Sequence, residues 1–227
     1  NHGSDHFEPD AEAPETLVVR LSTFVYERAP RMEVVRTLLD MLQTLDDYFR
    51  ADLQIYVAAN MLFYYEEGSP GAVVVPDVFV VKGIPKGRRR TYKLWVEGRP
   101  PTVVFEITSR STRLEDQGNK RALYAMLGVL EYFLYDPLAE YLAPPLQGFA
   151  LGQRDYELIP PEADGALISR ALGLKLQMEA GALRLINAAT GEKLLWPAEV
   201  FDKARAAEAE LERLRAELAR LRGETPP

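Results

Sequence analysis

The sequence predicts an α/β protein with a helical tail, and three neighbouring stretches carry that reading. TVVFEITS, from Thr102, is β-branched, aromatic and short, and its near-continuous apolar run suits a central strand covered on both faces. SRSTRLEDQGNKRALYAMLG follows, with Ser and Thr available to cap a helix and Gly128 to end it. VLEYFLYDP is then a second apolar strand. A strand, helix, strand succession favours an α/β core.

The remaining elements fall in order around that unit. Residues 1–15 form a polar, acidic tail, and TLVVRLSTFVYER suggests a short strand within 16–28. Residues 33–50 place Val34, Val35, Leu38, Leu39, Leu42, Leu45 and Phe49 at helical spacing, which predicts an amphipathic helix. DLQIYVAANMLFYYEEG reads as one or two strands ending near Glu66, Glu67 and Gly68, and SPG as a turn. AVVVPDVFVV is a strand bent at Pro76-Asp77. Residues 82–91 are a basic loop, and TYKLWVEG is a short strand or edge segment. After Asp136 shorter apolar segments suggest hairpins, a small antiparallel extension of the same domain. The division is therefore a tail at 1–15, one domain at 16–196 and a charged helix at 197–222.

Composition narrows the chemistry. The 227 residues include no cysteine and two histidines, His2 and His6, both in the tail. Thiolate sites, disulfides and histidine general bases are thereby excluded from the core. Carboxylates without histidine favour Mg²⁺ or Mn²⁺, which take oxygen ligands. No apolar run is long enough to span a membrane, and the tail lacks the pattern of a signal peptide, so a cytoplasmic protein is expected. The net charge is −7, yet Lys82 to Arg121 holds 11 basic against 4 acidic residues. Binding follows the local field rather than the total. That run is either a nucleic-acid contact, with Arg88, Arg89 and Arg90 at its centre, or a solvated loop.

VVVPDVFVV buries one acid, Asp77, among valines, and VVFEITS does the same with Glu106. An ionised carboxylate in such surroundings is costly unless it is paired or binds a metal. Each has a bland alternative. Asp77 caps a bend after Pro76, or Glu106 pairs with an arginine such as Arg110. Lys120 shares a helical face with Asp116 and Tyr124. It either points back to the strand end or makes an ordinary surface pair. Tyr124 reads as core packing, and Glu67 as a solvated turn residue.

Together, "PDVFVV … VVFEITSRSTRLEDQGNKRALYAMLGVLEYFLYDP" resembles the Uma2 family of bacterial endonucleases, a branch of the PD-(D/E)XK nuclease superfamily. The resemblance is strongest over 60–137. It implies a restriction-endonuclease-like fold, with a mixed central sheet flanked by helices. It implies a Mg²⁺-dependent endonuclease acting on DNA. Asp77 and Glu106 would be metal ligands and Glu67 a further carboxylate. Lys120 would be the catalytic lysine, with Arg110 and Arg113 on phosphate. One position departs from the pattern. The superfamily places lysine two residues after the glutamate, and here Thr108 stands there. Lys120 on the following helix would replace it. If it does not, the chain is a nuclease fold that binds nucleic acid or a protein partner without cutting.

The tail EVFDKARAAEAELERLRAELARLRG reads in heptads, with a at Ala204, Leu211 and Leu218, and d at Ala207, Leu214 and Leu221. Lys203–Glu208, Glu210–Arg215 and Glu217–Arg222 then pair across a parallel homodimer with opposite signs. The alternatives are a helix packed on its own domain, and a scaffold assembled through this coil.

Overall fold

The computed structural model describes residues 32–108, 116–153 and 155–222. The tail at 1–15, the strand expected within 16–28, and Arg110 and Arg113 lie outside these described residues. The amphipathic pattern forms α1 (Met32–Tyr48). Six strands build the main sheet: β1 (Ile55–Ala59), β4 (Val78–Lys82), β6 (Val103–Ile107), β7 (Glu131–Tyr135), β8 (Leu146–Leu151) and β9 (Tyr156–Leu158), in that spatial order. Within this sheet, among the described residues, β6 and β7 are the parallel pair and the other neighbours are antiparallel. The chain between them carries a π-helical turn at Asp116–Lys120 and α3 (Arg121–Leu127). This is the predicted crossover, and Gly128 closes it with φ 81°, a left-handed conformation that suits glycine.

Residue parity divides the core between the two faces of the sheet. Val78, Val80, Val103, Phe105, Ile107 and Phe133 face Met41 and Leu45 of α1. A small sheet, β10 (Leu167–Ser169), β11 (Leu174–Glu179) and β12 (Ala182–Asn187), packs on the same side. Buried Glu131 helps dock it, accepting hydrogen bonds from the Ser169 hydroxyl and the Ala171 amide. Phe79, Val81, Val104, Tyr132 and Leu134 face the other way, toward Tyr124 of α3. That side is completed by a second small sheet of β2 (Phe63–Tyr64), β3 (Val73–Val74) and β5 (Tyr92–Lys93).

TYKLWVEG supplies a short edge strand, as expected, of two residues, followed by the single turn α2 (Leu94–Glu97). The turn returns Glu97 to Arg89, whose guanidinium meets both carboxylate oxygens at 2.7 and 2.9 Å. At the other terminus α4 (Pro197–Arg222) leaves the domain. Among the described residues no helix is long and apolar enough to cross a membrane.

Candidate active site

Two strands bring the predicted acids together. The antiparallel register pairs Val78 with Phe105. One step further along the same ladder sets Asp77 opposite Glu106, on the same face of the sheet. Asp77 Oδ2 accepts a 2.7 Å hydrogen bond from the Ile107 amide, which ties this carboxylate to the strand that bears Glu106. Pro76 has no N–H to pair, so the ladder opens here and Asp77 is left half-buried at its edge.

Glu106 is fully buried. Lys120 Nζ donates to its Oε2 at 2.8 Å, and Tyr124 Oη donates to its Oε1 at 2.7 Å. Lys120 ends the π-helical turn and Tyr124 lies four residues on, so one helical face delivers both groups to one carboxylate. π-Helical turns inside helices are frequent at functional sites. The lysine side chain is itself 3 % exposed, so an ammonium and a carboxylate are buried as a pair. Burial is the main reason the Tyr124 hydroxyl is held well above its ordinary pKa, and the neighbouring charge of Glu106 adds to it. Tyr124 is therefore a proton donor at neutral pH and not a base.

Thr108 continues beyond β6, its amide bonded to the Tyr135 carbonyl at 2.7 Å. Two residues after Glu106 on an extended chain, it shares that face of the sheet. Its Oγ1 is buried and, among the described residues, has no hydrogen-bond partner, which is costly for a hydroxyl. Two hard-oxygen carboxylates on adjacent strands, beside an orphaned buried hydroxyl, fit a divalent ion with its bound water.

The other predicted residues lie elsewhere. Glu67 is exposed, in the turn between β2 and β3. Among the described residues no group of three acidic or histidine side chains is close enough to hold a metal, so Glu67 does not join the pair. The turn after β2 keeps it in solvent. Arg88, Arg89 and Arg90 follow the far end of β4. Arg89 lies over Tyr56, which pairs with Val81, four residue steps or about 13 Å along the strand from Asp77 at ordinary strand rise. The three arginines line an open groove of ≈ 870 Å³ with Gln43, Tyr56 and Lys86. Arg88 and Arg90 are exposed, whereas Arg89 is occupied by Glu97 and stacks 4.3 Å over the Tyr56 ring. Sequence reasoning undervalued Tyr124. Its ring packs on Tyr132 as expected of core, but its hydroxyl reaches the site, and its spacing from Lys120 is the signal that points there.

The sequence pattern of the Uma2 family, described as "Putative restriction endonuclease", matches residues 28–183, more than two thirds of the chain. The chain belongs to the Uma2 family. The Uma2 match spans Asp77, Glu106, Lys120 and Tyr124, and ends before α4. Among solved structures the chain is similar to one from Anabaena variabilis ATCC 29413 described as a "putative nuclease belonging to DUF820". The identity is 12 %, with 63 % of this chain and 75 % of that one covered at a TM-score of 0.46. No curated protein matches the sequence.

Proposed function

We propose that this Uma2 protein is a divalent-metal-dependent endonuclease that hydrolyses DNA phosphodiester bonds at Asp77 and Glu106. The observation that carries the reading is Glu106 itself. A fully buried carboxylate sits opposite a second acid and is held by a lysine and a tyrosine from the crossover helix. Asp77 and Glu106 would hold Mg²⁺ or Mn²⁺, which would supply a nucleophilic water at neutral pH and offset charge on the phosphoryl oxygens. In hydrolysis the oxygen of water bonds to phosphorus as one P–O ester bond breaks. The chain's own part is to fix charge in advance. Lys120 sets an ammonium beside Glu106, where it favours the negative charge that grows on phosphorus-bound oxygen. Tyr124 keeps its proton and orients the glutamate. The Ile107 amide orients Asp77. Thr108 would give the attacking water a hydrogen-bond partner.

Thr108 in the usual lysine place favours a second reading, a nuclease fold that binds nucleic acid without cutting. One assay separates them. Supercoiled plasmid is incubated with Mg²⁺ or Mn²⁺ and wild type or Asp77→Asn, each checked for folding by circular dichroism. Cleavage by wild type alone supports the endonuclease. No cleavage of supercoiled, linear or single-stranded DNA with either metal overturns it and leaves the binding reading.

A further inference from the structure

We infer that α4 is one half of a parallel two-stranded coiled coil whose other half is α4 of a second copy of this chain. Among the described residues the helix is anchored at its start. Glu199, in the first turn, accepts a 2.8 Å hydrogen bond from the Trp196 amide and takes both ends of the Arg184 guanidinium at 2.6 and 3.0 Å. From Phe201 to Arg222 no residue is buried. At 1.5 Å per residue, that is about 33 Å of helix standing off the domain.

Most of a helix's stability in a protein comes from packing an apolar face, and on α4 that face is left open. The exposure is also not random. Leu211, Leu214, Leu218 and Leu221 are 46, 45, 51 and 74 % exposed, and they occupy the a and d positions of successive heptads. Val200, 47 % exposed, falls at the preceding d position. The stripe is thus a narrow seam of the kind that closes on another helix rather than on a sheet.

Charge decides what covers it. In a parallel homodimer each g residue faces the e residue five positions on in the partner. These pairs are Lys203–Glu208, Glu210–Arg215 and Glu217–Arg222, all of opposite sign. A centred antiparallel pair brings g against g and e against e, which sets Glu210 against Glu210 and Arg215 against Arg215, whereas every g–e pair of the parallel arrangement is of opposite sign. The seam therefore complements itself best in the parallel direction. That direction places both domains at the same end of the coil, since each is fixed to the first turn of its own α4. If the endonuclease reading holds, one assembly then carries two acid pairs at the same end of the coil. The coil itself does not depend on that reading.

The test is the solution mass of the full chain by sedimentation equilibrium, with no nucleic acid present. Wild type is expected at twice the 25.6 kDa chain mass and Leu211→Glu/Leu214→Glu at one chain mass. Both substitutions lie on exposed helix, so the domain's circular dichroism signature in β-sheet and its melting are retained. Two charge variants fix the pairing. Glu210→Lys/Glu217→Lys makes every g residue basic, and Arg215→Glu/Arg222→Glu makes every e residue acidic. Each alone is expected to be monomeric, and an equimolar mixture to be dimeric. Because the chain has no cysteine, Leu221→Cys reports direction: a disulfide between identical positions forms on oxidation only if the helices are parallel. A monomeric wild type at 100 μM overturns the inference. So does a dimer that survives Leu211→Glu/Leu214→Glu, or one in which Leu221→Cys fails to cross-link.

Discussion

Lys120 Nζ lies 2.8 Å from Glu106 Oε2, both buried, although fourteen residues of chain separate them. A buried pair of this kind contributes little net stability over an apolar pair, but losing one partner strands the other charge. Lys120→Met is expected to lower the unfolding free energy by about 3–5 kcal/mol. Adding Glu106→Gln should restore much of it, because the stranded charge is gone. Urea melts of the two variants check this, and a Lys120→Met loss under 1 kcal/mol would contradict the buried pair.

Tyr124→Phe removes the hydroxyl donor to Glu106 while keeping the ring against Tyr132. Its folded-state pKa is raised well above 10.0, so the folded protein retains a proton that the unfolded chain releases. The sign follows from linkage: stability is constant in this respect below pH 10 and falls as pH rises above it. One such tyrosine contributes a slope of about 1.4 kcal/mol per pH unit. Thermal melts from pH 9 to 11 should show a shallower decline in Tyr124→Phe than in wild type. Tyr92 and Tyr156, also raised chiefly by burial, keep the variant's slope from vanishing.

Thr108→Val replaces an orphaned buried hydroxyl by a methyl of the same shape. In metal-free buffer it should raise stability by about 1 kcal/mol, since the unmet desolvation cost disappears. With saturating Mg²⁺ the gain should shrink, because wild type then recovers a partner through the ion's water. Paired melts with EDTA and with Mg²⁺ test this, and an equal gain in both would remove Thr108 from the site.

Arg88→Ala/Arg90→Ala touches exposed arginines far from the acids. If both contact phosphate, the slope of log K against log salt should fall by about 1.8. Per-turnover cleavage by the bound variant should be unchanged. Fluorescence anisotropy across a salt series reads the slope, and an identical slope would return the basic loop to a solvated role.

The sequence carried the site further than it carried its surroundings. Asp77 and Glu106 are legible because a carboxylate among valines has few reasons to exist, and strand periodicity places both on one face. Lys120 is legible through its spacing to Tyr124. What it leaves open is long-range. YKLWVEG does not announce the single helical turn that brings Glu97 back onto the Arg89 guanidinium. Glu67 looks like a third acid because it precedes the Pro-Asp strand, but chain order does not say that the turn after β2 points outward. The Glu131–Ser169 contact joins positions 38 residues apart and leaves no local pattern.

The hydrogen bond from the Ile107 amide to Asp77 turns one backbone proton into a sensor. Its resonance depends on the negative charge of a single carboxylate oxygen, so anything that draws on that charge moves it. Titration with Mg²⁺ should displace the Ile107 cross-peak in a ¹⁵N-correlated spectrum while amides in β10–β12 stay still. Occupancy of the site can thus be read with no substrate, no turnover and no added label beyond the isotope.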